Sequence, residues 1–287
     1  MSVPSPLMAG KRGLVMGVAN DRSIAWGIAE ACAKHGAELA FTYQGEALAK
    51  RVRPLAQQVG TDLVMPCDVT DDASIDAVFE RLKEEWGSLD FLVHAIAFSS
   101  RAELEGLYLN TSRDNFLKSL EISCYSFTAV AQRAAGLMNS GGSLLTLTYY
   151  GAERVMPNYN VMGVAKAALE ASVRYLAADL GPRNVRVNAI SAGPIRTLAA
   201  SGIGDFRYIL RWNELNSPLR RNVTTEDVGG AGLYLLSDLG AAVTGEVHHV
   251  DAGYHTVGMM AVDNAHATAE LLAAFAGLDD KADPEKG

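Results

Sequence analysis

The chain has 287 residues, 49% of them apolar, enough for one large α/β domain with a full core. Its formal net charge of -8 excludes the broad cationic face that nucleic-acid phosphates require, and its apolar runs are strand-length, far short of the roughly 20 residues of a membrane helix. The N-terminal stretch lacks the pattern of a signal peptide, and Cys32, Cys67 and Cys124 are scattered without metal-ligand spacing, so a reducing cytoplasm and no metal are expected.

Strand-length apolar runs alternate with amphipathic stretches of helical length from residue 12 to about residue 250. The runs predict strands at Arg12 to Met16, Glu38 to Tyr43, Asp62 to Pro66, Leu89 to Ala95, Gly142 to Thr148, Val185 to Ile190 and Glu246 to Val250. Helices are expected at Ile24 to Lys34, Glu46 to Val59, Ala73 to Trp86, Arg113 to Met138, Asn158 to Leu180, Asp205 to Asn216 and Thr225 to Ser237, with a short one at Ala267 to Ala276. This rhythm predicts an α/β fold: a doubly wound, parallel, seven-stranded sheet of Rossmann type with helices on both faces. Residues 1–257 would form this domain, including a lid at about 194–221, and residues 258–287 a partly flexible extension. Right-handed crossovers put the ligand crevice at the carboxyl ends of the strands.

Residues just past those strands are therefore the site candidates. "GVANDRSIAWG" follows the first strand, with Gly17 at its end, Ser23 at the helix start and Gly27 one turn in, an arrangement suited to a pyrophosphate at a helix N-terminus. A plain glycine turn with a serine cap is the alternative. Gln44 ends the second strand, where a nucleotide site reads the adenosine ribose; an amide with no cation beside it before Lys50 favours NADH over NADPH. Asp68 and Val69 follow the third strand, placed to meet an adenine ring, although Asp68 would also serve as a loop cap. Ala95, Ile96 and Ala97 follow the fourth and offer a flat cofactor a wall of small side chains.

The fifth strand leads into "YYGAERVMPNYNVMGVAK", with Pro157 expected in the first turn of the next helix. Tyr159 and Lys166, seven residues apart on that helix, would share a face about 10 Å apart along the axis. The ordinary short-chain dehydrogenase spacing, Y-x-x-x-K, fails because position 163 is glycine. A phenol without an adjacent ammonium suits hydrogen bonding to a developing enolate better than full proton transfer. After the sixth strand, "SAGPIRTLAASGIGDFRYILRWNELNSPLRR" reads as a lid, with Leu198, Ile203, Phe206 and Ile209 as its apolar face. Arg207, Arg211, Arg220 and Arg221 suggest docking of an acidic partner, or a solvated helix face. His248 and His249 alternate along a strand without metal spacing.

The stretches "GVANDRSIAWGIA", "GAELAFTYQ", "CDVTDDASID", "YYGAERVMPNYNVMGVAKAALEASVRYLA", "VRVNAISAGPIRTLAASGI" and "GEVHHVDAGY" resemble the bacterial NADH-dependent enoyl-acyl-carrier-protein reductases, divergent members of the short-chain dehydrogenase family. The likeness runs from about Gly10 to His255. It implies that Tyr159 faces a thioester carbonyl, that Tyr149 is the second active-site tyrosine and that Lys166 binds the nicotinamide ribose. By the same resemblance Gly17, Ser23, Ile24, Gln44, Asp68, Val69 and Ile96 line NADH, Ile195, Arg196, Thr197, Leu198 and Ala199 cover it, and Ser99 and Ile209 lie near the acyl substrate. An acyl carrier protein as partner and a homotetramer packed through the long helices are also implied. Tyr150 departs from the pattern as a second bulky phenol beside Tyr149, and only the spacing from Tyr159 separates the two. A carbonyl or alcohol dehydrogenase of the same fold and a catalytically silent NAD-binding sensor are the competing readings.

Overall fold

A computed structural model of the chain describes residues 6–198, 200 and 204–279. Seven parallel strands form one sheet in the order β3-β2-β1-β4-β5-β6-β7, with β1 Arg12–Met16, β2 Glu38–Tyr43, β3 Val64–Pro66, β4 Leu89–His94, β5 Met138–Thr148, β6 Arg186–Ala192 and β7 Val247–Val250. The strands are nearly continuous apolar runs because the sheet is covered on both faces. The pleat divides β1 between two cores: Leu14 and Met16 point one way and Val15 the other. Helices α1 (Ile24–Lys34), α2 (Glu46–Gln58) and α9 (Thr225–Leu236) cover the Val15 face. On the opposite face lie α3 (Asp72–Trp86), α6 (Ser126–Leu137) and α7 (Asn160–Leu180). The strand order reverses between β1 and β4, and the crevice opens there.

Gly27 has a different role from the expected one. A Cβ at Gly27 would stand 2.4 Å from the Thr225 carbonyl oxygen, and one at Gly229 would stand 2.5 Å from the carbonyl oxygen of Gly27. The two glycines let α1 and α9 touch backbone to backbone, so Gly27 serves helix packing rather than the phosphate end. Thr224 and Asp227 form a reciprocal capping box that starts α9.

Several boundaries differ from expectation for identifiable reasons. The long helix expected over residues 113–138 is three segments: α5 (Arg113–Leu120), a π-helical turn at Glu121–Tyr125, and α6. The π turn aims the Ser123 hydroxyl at the loop after β4, where it accepts from Phe98 N at 3.0 Å and donates to Phe98 O at 3.1 Å. Pro157 precedes α7 instead of occupying its first turn, because Asn158 and Asn160 both take positive φ on the way in. A short helix, α4 (Arg101–Leu104), also went unanticipated. The expected C-terminal helix is present as α10 (Ala265–Asp279), and α8 (Phe206–Asn216) lies in the stretch expected to be a lid.

Candidate active site

A cavity of about 360 Å³ opens over the carboxyl ends of β4, β5 and β6. Gly17 closes the turn after β1 at φ +98°, where a Cβ would fall 2.1 Å from the Ala95 carbonyl oxygen. The Ser23 hydroxyl folds back to accept from the backbone N–H groups of Ala19 (3.0 Å) and Asn20 (3.1 Å). It therefore shapes the loop and leaves the first turn of α1 without a side-chain cap. That positive helix end suits an anion. At the far end of the crevice, Gln44 Nε2 donates to Asp68 Oδ2 at 3.1 Å. Asp68 Oδ1 accepts from Thr70 N and Thr70 Oγ1, bonds that hold its carboxyl below the usual carboxylate range. The loop-cap reading of Asp68 thus holds for one oxygen, while the other faces Gln44. Val69 packs into the core beside them.

Ile24, Ile96, Ser99, Tyr149, Tyr159, Lys166, Ile195, Thr197 and Ile209 all line the cavity, as the sequence reading expected. Arg196 and Leu198 are exposed, and Ala199 and Ile203 lie outside the described residues. Ser99 is engaged with α5, bonded to Asn115 and, at 3.0 Å, to Ser119. Leu104, Thr148 and Met162 also line the cavity and were missed. Met162, one turn beyond Tyr159, was the one of these with a helical-spacing signal.

The two phenols meet edge to face, with ring centroids 5.0 Å apart and planes at 73°. Tyr159 is the N-cap residue of α7, just outside the helix in which it was expected, and it is buried. Burial pushes both phenols above their ordinary range; the negative charge of Glu170 adds to the effect on Tyr159. Lys166 is 6% exposed, and its Nζ donates to Leu147 O at 2.7 Å. Burial lowers this amine to about 8, against the opposing pull of Cys124 and Glu170. A Cβ at Gly163 would lie 2.7 Å from the Gly151 carbonyl oxygen, so the position where ordinary short-chain dehydrogenases carry lysine has no room for a side chain. Tyr150 points elsewhere: its ring packs edge-on to Tyr254 and its hydroxyl donates to His255 O.

Phe206 and Ile209 roof the cavity from α8. The C-terminal segment holds that helix from behind, through Phe275 against Tyr208 (5.0 Å), Asn264 to Leu215 O and the Arg220–Asp263 ion pair. Arg211 pairs with Glu214 and Arg221 with Asp227, so three of the four lid arginines are engaged by the chain's own carboxylates. That pairing weakens the case for this stretch as an acidic docking face. Among the described residues no cluster of three His, Cys, Asp or Glu side chains forms a metal site, and no helix is long and apolar enough to cross a membrane.

The wall of Ala95, Ala97, Ala192 and Gly193, the uncapped start of α1 and the buried ammonium fit a dinucleotide lying across the switch point. Such a sheet with a buried tyrosine and lysine at its crevice defines a nucleotide-binding α/β reductase. Residues 17–255 match the family described as Enoyl-(Acyl carrier protein) reductase. The chain is 71% identical over 263 residues to the Rhizobium meliloti Enoyl-[acyl-carrier-protein] reductase [NADH] 1, covering 92% of this chain and 97% of the relative. It is 58% identical to the Rickettsia typhi Enoyl-[acyl-carrier-protein] reductase [NADH] FabI, over 88% of this chain and 97% of that one. The crystal structure of the Anaplasma phagocytophilum enoyl-(acyl-carrier-protein) reductase with NAD is similar at a TM-score of 0.86 and 63% identity, covering 90% of this chain and 96% of that one. The Bacillus cereus enzyme with NADP+ and indole naphthyridinone is similar at 0.87 and 56%, covering 88% and 99%. The chain belongs to the enoyl-acyl-carrier-protein reductase family.

Proposed function

We propose that the chain reduces the trans-2 double bond of enoyl thioesters carried on acyl carrier protein, using NADH, as the last step of the fatty acid elongation cycle. The observation that carries this reading is the wide tyrosine-to-lysine spacing at the cavity, with the closer position 163 sterically shut. NADH, when bound, supplies a hydride to the β-carbon. Tyr159 then donates a hydrogen bond to the thioester oxygen as negative charge develops there, and a proton taken up from solvent at the α-carbon completes the saturated thioester. Tyr149 packs the phenol in place from the strand side. Lys166 holds the ribose and adds positive field. Phe206 and Ile209 close the roof and exclude water.

The test is NADH oxidation, followed by nicotinamide absorbance, with a crotonyl thioester and with simple ketones. Turnover with the thioester alone is expected. Turnover with ketones alone would instead make the chain a carbonyl or alcohol dehydrogenase, and none with either would leave an NAD-binding sensor.

The orientation of the adjacent tyrosines supports Tyr149 as the second active-site phenol. Tyr150→Phe is expected to leave kcat within about twofold of the parent, since among the described residues its hydroxyl bonds the His255 carbonyl. Steady-state kinetics check this; a large loss would move the role to Tyr150.

A homotetramer built through the long helices is supported by exposed apolar side chains on that layer, Leu117, Tyr125, Val164 and Tyr175. A cytoplasmic location is supported by three free, buried thiols.

A further inference from the structure

Glu170 is a charged residue that the reaction just outlined leaves without a role. It is 7% exposed, four residues beyond Lys166 on α7. Burying a carboxylate costs stability unless it is well bonded. Its Oε1 accepts from Thr148 Oγ1 at 2.7 Å, and Thr148 is both the last residue of β5 and part of the cavity wall. One turn earlier, Lys166 Nζ donates to the carbonyl of Leu147 at 2.7 Å. Two side chains one turn apart on α7 therefore grip two consecutive residues of β5, and the next residue in the chain is Tyr149.

We propose that Glu170 is a positioning residue for this site: through Thr148 it fixes the strand end that carries Tyr149, and from one turn beyond Lys166 on α7 it sets a carboxyl group on the same helix beside that amine. The inference rests on the reduction proposed above for its kinetic readout only. The surroundings of both groups support an effect on the amine. Lys166 is faced by Cys124 from the π turn and by His94 from β4, and Tyr159 at the helix entry lines the same cavity. Burial and the lysine's charge push His94 down to about 3, and burial keeps Tyr159 neutral, so neither offers a counter-ion. Cys124 and, after it, Glu170 act on this amine, and Glu170 is the carboxylate of the two. Around Glu170 itself stand Arg174 on its own helix, Glu153 from the segment after β5 and His249 from β7. His249 bonds Glu153 at 2.7 Å and stacks on His255, which is held by Asp251. Burial raises the Glu170 carboxyl above its ordinary range and the Thr148 bond opposes that rise, while Glu153 and His249 act on it in opposite directions.

The sign follows from the partners. An ammonium loses charge as pH rises through its pKa, and removing a neighbouring negative charge lowers that pKa. Glu170→Gln keeps an acceptor for Thr148 and removes the charge. Thr148→Val removes the bond and, with it, a contact that favours the ionised form of Glu170. The measurements are the pH dependence of NADH affinity, by fluorescence titration without substrate, and of kcat/KM with crotonyl thioester. Glu170→Gln is expected to move the alkaline midpoint of both down by about half a unit or more. Thr148→Val is expected to lower kcat severalfold and to move the midpoint less than Glu170→Gln does. A Glu170→Gln midpoint identical to the parent's, with correct folding verified by circular dichroism, would overturn the role toward Lys166. A Thr148→Val enzyme with the parent's kcat would overturn the positional one. Should the parent reduce no enoyl thioester, the proposed reaction fails, while the NADH titration still decides whether Glu170 controls Lys166.

Discussion

Replacing Tyr159 by Phe is expected to lower kcat with a crotonyl thioester about 10- to 100-fold and to leave NADH affinity close to the parent value. The size follows from what is removed, one hydrogen bond to an oxygen that becomes charged, worth about 1.5–3 kcal/mol. Its assignment to kcat follows from timing, because the bond strengthens only as the enolate forms. Its burial is the reason to expect a hydrogen-bond donor here and not a source of a full proton. Burial raises its pKa, with Tyr149 and Glu170 adding to the rise, so it stays neutral across the working pH range. Its rate contribution should accordingly add no limb to the pH profile near neutrality. The ring would remain in the Phe variant, with its edge contact to Tyr149 and its packing against Gly151 intact. Thermal melting should therefore change little, which separates a lost donor from a collapsed site. A kcat within about threefold of the parent would remove Tyr159 from the chemistry.

Much of this site was legible because topology does the positioning. In a doubly wound sheet, whatever follows a strand's carboxyl end faces the crevice, so Gly17, Ile96 and Tyr149 could be placed from strand boundaries alone. The bounds of β1, α1 and β2 match expectation because strong apolar runs meet clear turn residues there. Legibility failed where two structures share one sequence pattern. A π turn keeps the apolar stripe of a continuous helix nearly unchanged, so Glu121–Tyr125 read as helix. The entry to α7 failed differently: asparagine tolerates positive φ without requiring it, so nothing at Asn158 and Asn160 announced the turn that places Tyr159 at the cap. Contacts between distant segments left no local trace at all. Glu170 with Thr148, and Phe275 with Tyr208 across residues far apart in the chain, exist only once the fold brings them together.

Gly17→Ala is expected to destabilise the protein by about 3 kcal/mol or more and to lower its apparent Tm by about 6–12 °C. Two separate costs combine at this position. The backbone at φ +98° disfavours any L side chain, and the new Cβ would lie 2.1 Å from the Ala95 carbonyl oxygen, far inside contact distance. The obstacle is backbone on the neighbouring strand's extension, so no rotamer can relieve it. Relief requires the ends of β1 and β4 to part, which strains the 3.0 Å bond from Ala95 N to Met16 O. Those two ends bound the switch point, so NADH affinity should fall together with stability. Gly45→Ala separates the contributions. Gly45 also has positive φ, at +77°, but a Cβ there meets nothing within 4 Å, so only the backbone penalty of about 1–3 kcal/mol should remain. Melting both variants with and without saturating NADH makes the comparison. If Gly17→Ala melts no lower than Gly45→Ala, the close approach at Ala95 is not what the glycine is there to permit. If it melts lower and also loses the stabilisation that NADH gives the parent, the same glycine sets both the strand spacing and the cofactor's seat.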